Sequence, residues 1–138
     1  MLRRIHVLVA AIVLIPVATS TSGQAQAPKK VLVLTHAALT KHASIAVAEK
    51  ALPELARIGG FEVTIHSDGR NAVGAPSREE VARMDFSFLT PSYLAQFDGL
   101  LMFTNGNLPI TLDQKRSLVD FVRNGKGIVG VHCATVSM

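Results

Sequence analysis

The chain has 138 residues, 49% of them hydrophobic and 17% charged, with a formal net charge of +4. That length holds one globular domain at most, and the apolar content argues against intrinsic disorder. With no Trp and no interleaving of aromatic and basic side chains there is nothing for nucleic acid to dock on, and a single cysteine excludes an internal disulfide, a zinc-finger spacing and a paired-cysteine redox motif.

The first 27 residues stand apart. Arg3 and Arg4 precede an apolar run from Val7 to Ala18, and small and polar residues follow up to Ala27. This is the order of a secretory signal peptide, with cleavage expected after Ala25 or Ala27 and a secreted or periplasmic destination. The run of about 12 residues is short of the roughly 20 that a membrane-spanning helix needs, so no stable span is expected once the leader is removed. Removal of Arg3 and Arg4 lowers the formal charge to +2, so the basic balance is largely a property of the leader.

Residues 28–138 then alternate between strand and helix patterns. Val31-Leu-Val-Leu34 is a continuous apolar run, as expected of a strand buried on both faces, and it ends at Thr35-His36. A helix is expected from about Ala43 to Ile58, with Ile45, Ala48, Leu52 and Leu55 as its apolar stripe. Pro53 should kink or break it near Leu52, and Gly59-Gly60 should end it. Phe61 to His66 alternates apolar and polar side chains and reads as an edge strand, with His66 on the surface. Between Ser67 and Ser92, Asp68-Gly-Arg-Asn71 and Gly74-Ala-Pro76 are turn material, and Ser77-Arg-Glu-Glu80 opens a short helix.

Leu100-Leu-Met-Phe103 is a second continuous apolar strand, ending in the polar loop Thr104-Asn-Gly-Asn107. Thr111-Leu-Asp-Gln114 has the capping-box pattern for a helix to about Arg123, with Leu112, Val119 and Val122 on one face, Leu118 beside them and Asn124-Gly125 after it. Ile128-Val-Gly-Val131 is the last strand. Strands alternating with helices imply parallel βαβ units with right-handed crossovers. The fold class is therefore α/β, a flavodoxin-like parallel sheet of about four strands in the order 2-1-3-4.

In that order the loops Thr35 to His42, Thr104 to Asn107 and His132 to Thr135 share one crevice at the strand carboxyl ends. His36, His42 and His132 are the candidates for proton transfer, since imidazoles titrate near neutrality. Thr35, Thr104, Asn105 and Thr135 are candidate ligand contacts, although Asn-Gly pairs are also ordinary turns and loop histidines are also simply solvated. No cofactor is implied. Three imidazoles could hold a divalent metal, but no helical pair or carboxylate spacing selects one. Cys133 lacks the glycine that follows a nucleophile in an elbow and reads as an inert buried thiol.

Several segments together resemble the ThuA-like (trehalose utilisation) family, a branch of the class I glutamine amidotransferase-like fold. They are Lys30 to His36 with Lys41-His-Ala-Ser-Ile45, Phe97 to Asn105, and Leu112-Asp-Gln-Lys through Gly127 into Gly130-Val-His-Cys-Ala-Thr135. Against the amidotransferase elbow, His132 rather than Cys133 takes the nucleophile position, which implies that the chain is not a glutaminase. The resemblance implies carbohydrate metabolism, with a sugar or modified glycoside as the small-molecule partner and chemistry of a hydrolase or lyase type. The alternatives are a non-catalytic sugar-binding or interaction module and an inactive truncated fragment. Family members continue beyond the His-x-Ala-Thr segment, so a C-terminal truncation is expected, with an apolar Ile128–Val131 edge open to self-association.

Overall fold

The structure is a computed structural model that describes residues 26–138, so the leader expected from the sequence lies outside the described residues. In chain order the elements are β1 (Lys30–Leu34), α1 (Ala43–Gly59), β2 (Glu62–His66), α2 (Arg78–Ala82), α3 (Pro91–Leu94), β3 (Gly99–Met102), α4 (Leu112–Arg123), β4 (Gly127–Gly130) and a 3-10 turn, His132–Val136. The four strands form one parallel sheet in the order β2-β1-β3-β4, as the alternation of patterns requires. The register runs Leu32↔Leu100↔Ile128 and Val33↔Leu101↔Val129 across the three strands on that side.

Because side chains alternate along a strand, each register row faces one side of the sheet. The row containing Leu32 and Leu100, with Leu34 and Met102, forms the main core beneath α3 and α4, where Phe86, Leu94, Leu118 and Phe121 pack against it. The opposite row is covered by α1 at Val33 and Ile45, both without exposed surface. That cover does not extend across β4. Paired with β3 alone, β4 is an edge strand, and all four of its residues are exposed.

Local signals decide most of the helix ends. Ser77 and Thr111 both accept from the backbone three residues on, and Glu80 and Gln114 return the bond to the cap residue's own N–H. Gly60 takes the left-handed conformation with φ 69° and donates to Ala56 O, closing α1.

Four expectations change in detail. Helix α1 continues through Pro53 without the expected break. The proline is on the exposed side of the helix, where its ring meets solvent rather than the core. The apolar stripe of α1 is turned as well, with Ala56 inside and Leu55 outside.

Helix α4 buries Leu118 and Phe121, while Leu112, Val119 and Val122 are exposed. Val119 and Val122 repeat at the same i, i+3 spacing as the buried pair but lie about 100° further round the helix. They line a shallow pocket with Ile128 of β4 and Met138. The last strand is also one residue shorter at its end than its apolar run. Val131 still donates to Met102 O, but the backbone turns out of the ladder at His132.

This helix phase is directly measurable. Leu118→Ala should lower the unfolding free energy by about 2–5 kcal/mol through cavity formation, whereas Leu112→Ala should stay within about 0.5 kcal/mol. Urea denaturation of the two variants reads the difference, and equal effects would contradict this packing.

Candidate functional site

All three loops named from the sequence lie at the carboxyl end of the parallel strands, where open α/β sheets bind ligands. The loop after β1 is held from two sides. From the β2 side, Asp68 accepts from the Ala37 N–H, and Arg70 donates to Ala37 O at 3.3 Å. From the β3 side, the Asn105 side chain accepts from Leu39 N–H and Thr40 N–H and donates to Thr40 O. Lys41 closes the loop. Its backbone exchanges two hydrogen bonds with Gly74, at 2.8 and 2.9 Å, and its ammonium reaches Asp68. The Lys41 side chain is 4% exposed and the Asp68 side chain 0%, so this ion pair is fully internal. Gly106 completes the clamp with φ 70°, and a Cβ there would lie 2.6 Å from Leu39 N.

His42 follows this clamped loop as the N-cap of α1, in extended backbone conformation, and its side chain is not spent on capping. Its ring faces that of His132, with centroids 5.1 Å apart and planes inclined by 57°. His132 is the one non-glycine residue with positive φ among the described residues, at 58°. A left-handed conformation is costly for such a residue, and sites of this kind cluster where chemistry or ligand binding occurs. The strained position in the strand-to-helix bend is thus His132, whereas Cys133 has an ordinary φ of −83° and a half-buried thiol. Thr135 is exposed on the same 3-10 turn.

The other residues singled out from the sequence sit behind this surface. His36 is 2% exposed, with its ring 4.4 Å from that of Phe86 and its Nδ1 buried without a hydrogen-bond partner. Thr35 is buried and bonded through its hydroxyl to Glu49, and Thr104 is buried and bonded to Ser137. Asn105 spends its side chain on the loop that carries His42. Among the seven residues, His42, His132 and Thr135 present accessible side chains, and the other four support them from within.

His66, expected on the surface, is half-buried instead. It stacks on Phe88 with centroids 3.8 Å apart, and its Nε2 lies 2.8 Å from the Tyr93 hydroxyl. The reason is α3, whose Thr90 cap and Pro91 start bring Tyr93 over the end of the edge strand. Lys41, Asp68 and Arg70 had no role assigned from sequence. Their signal was weak, because Asp68-Gly-Arg is the composition of an ordinary solvated turn.

Buried groups here titrate abnormally. Burial pushes the His36 pKa down to about 4, so this imidazole is neutral at physiological pH. Burial alone would raise Asp68, but bonds from Lys41 and from the Arg70 and Ala37 amides outweigh it and hold the carboxylate below its ordinary range. Among the described residues no group of three or more His, Cys, Asp or Glu side chains could hold a metal ion, and no helix is long and apolar enough to cross a membrane.

The family model described as ThuA, trehalose utilisation, matches residues 30–138. Among solved structures, a protein named as ThuA-like from Bacteroides uniformis superposes with a TM-score of 0.53 at 23% identity, over 83% of this chain and 40% of that one. The chain therefore spans well under half the length of that structural relative, and at this identity the likeness speaks for the fold. No curated protein matches the chain.

The low pKa of His36 has a definite consequence for stability. Between pH 6.5 and about 4 the unfolded chain binds a proton at His36 that the folded chain refuses, so stability falls as pH falls through that window. The full loss, on the order of 3 kcal/mol, is reached near the folded-state pKa of about 4. Asp68 adds to the decline below its unfolded value, since its folded pKa is depressed. His36→Leu should flatten the drop between pH 6.5 and 4.5 in denaturant titrations, and an unchanged slope would assign it to other groups.

Proposed function

The chain belongs to the ThuA (trehalose utilisation) family, and from that premise we propose that it acts on a sugar or modified glycoside at the His42–His132 surface. The observation that carries this reading is the pair of accessible imidazoles 5.1 Å apart, one of them on a strained backbone, at the carboxyl edge of a parallel sheet. One imidazole accepting a proton while its neighbour donates one is the pairing that glycoside cleavage or elimination by acid–base catalysis needs. Thr135 supplies a hydroxyl for hydrogen bonding to the ligand on the same turn. His36, buried against Phe86 and neutral, does not touch the ligand in this reading.

A glutaminase reading finds no support, because the strained bend carries an imidazole and Cys133 lies one residue past it in relaxed backbone. A second reading is a binding module without turnover. It is favoured by one feature: among the described residues neither His42 nor His132 has a carboxylate or carbonyl hydrogen-bonded to its ring to fix its tautomer, as a catalytic base normally has. For location, we propose export, on the strength of the leader pattern before Pro28.

Two measurements decide among these. Wild type, His42→Ala and His132→Ala are assayed for binding by thermal shift and for product release, against disaccharides and their oxidised forms. Catalysis predicts that His132→Ala lowers kcat by about 10²–10⁴-fold with the melting transition kept; binding without product in the wild type identifies the module instead, and unchanged behaviour of both variants removes this site from consideration. Expression with the native leader should yield an exported chain beginning at Gln26 or Pro28 by N-terminal sequencing, and retention of Met1 would refute export by cleavage.

A further inference from the structure

Resting on the reading above, the internal ion pair beneath the site has a function of its own. We infer that Lys41 and Asp68 are positioning residues: their bond, together with Arg70 and Asn105, holds His42 in register with the strained His132. Replacing a buried ion pair by apolar side chains commonly leaves a protein as stable or more so, so simple stability does not explain why this one is buried. What it does here is geometric. Asp68 hangs from the end of β2, Asn105 from the end of β3, and both grip the loop that leaves β1.

The links nearest His42 flank it on both sides. The residue before it, Lys41, is fixed at its ammonium by Asp68 and at both backbone groups by Gly74. The residue three after it, Ile45, is without exposed surface and donates its N–H to His42 O. The His42 backbone is bracketed on both sides, so only its side-chain torsions remain to be set by a ligand. His132 is fixed independently, by the departure of the chain from β4. The 5.1 Å separation of the two rings is therefore the difference between two separately anchored backbones, and only the His42 side depends on Lys41. Displacements of about 1 Å at such a group can cost on the order of 100-fold in rate, which gives an internal clamp a use that a solvated loop would lack.

The test separates position from stability. Lys41→Met keeps the length and removes the charge, leaving Asp68 to Arg70 and the amides; the double variant Lys41→Met/Asp68→Asn removes both charges, so no buried carboxylate is left without a partner. Leu118→Ala serves as a destabilised control remote from the loop. In each folded protein the ring-to-ring nuclear Overhauser effect between His42 and His132 is measured by NMR, and kcat and KM are measured for any glycoside the wild type turns over. The clamp predicts loss of the ring contact in both Lys41 variants but not in Leu118→Ala, with kcat lowered at least about tenfold and KM little changed. Folded Lys41 variants that keep the ring contact overturn it. If neither variant folds, Arg70→Met, at the margin of the same cluster, is judged by the same readout. Where the wild type turns over no glycoside, the NMR arm alone decides the clamp, and the failure belongs to the proposed function.

Discussion

One carboxylate organises the carboxyl end of the parallel sheet. Asp68 has no exposed side-chain surface, yet it accepts from the Lys41 ammonium and from the Ala37 and Arg70 amides, with the Arg70 guanidinium 3.5 Å away. Burying such a group unpaired is prohibitive, so the loops that contribute these donors must come together before the carboxylate can leave water. The ends of β1 and β2 are tied by this requirement, and Asn105 ties in β3. Removing one partner of such a pair typically costs 3–5 kcal/mol. The precision of the His42 loop and the stability of the fold are thus linked through the same few bonds.

The sheet beneath supplies the other constraint. In a parallel sheet every strand ends on the same edge, so residues far apart in sequence but just past a strand end become neighbours. His42 and His132 are separated by most of the domain and meet because β1, β3 and β4 are adjacent and in register. The bend after β4 is where this geometry is most demanding. It forces a left-handed residue between strand and 3-10 turn, and that residue is an imidazole rather than the thiol next to it. The opposite property appears along β4, where the 3-10 turn reaches Gly130 through Ala134 but all four strand residues stay exposed. Ile128 and Val129 remain accessible, continuous with Val119 and Val122 of α4.

Much of this was legible in the residues themselves. Two continuous apolar runs and one alternating run distinguish interior from edge strands, and alternation with helical periods allows little besides a parallel sheet in the order found. Thr111 with Gln114 marks a helix start, because capping is settled within four residues. The phase of α4 was not legible. Leu112, Val119 and Val122 form as good a stripe on paper as Leu118 and Phe121, and only the position of the sheet chooses between them.

The sequence by itself determined the strand order, the helix starts and the placing of His42 and His132 on strand-end loops, because periodicity, capping and turn chemistry are local and survive in a string of letters. Tertiary structure alone decided that Asp68 is internal, that His36 is a neutral buried ring, that His66 lies under Tyr93 and that Asn105 binds its own chain. The physical reason is that burial of a polar side chain depends on which distant donors surround it. A turn written Asp-Gly-Arg looks the same whether it faces water or closes over a lysine from another loop.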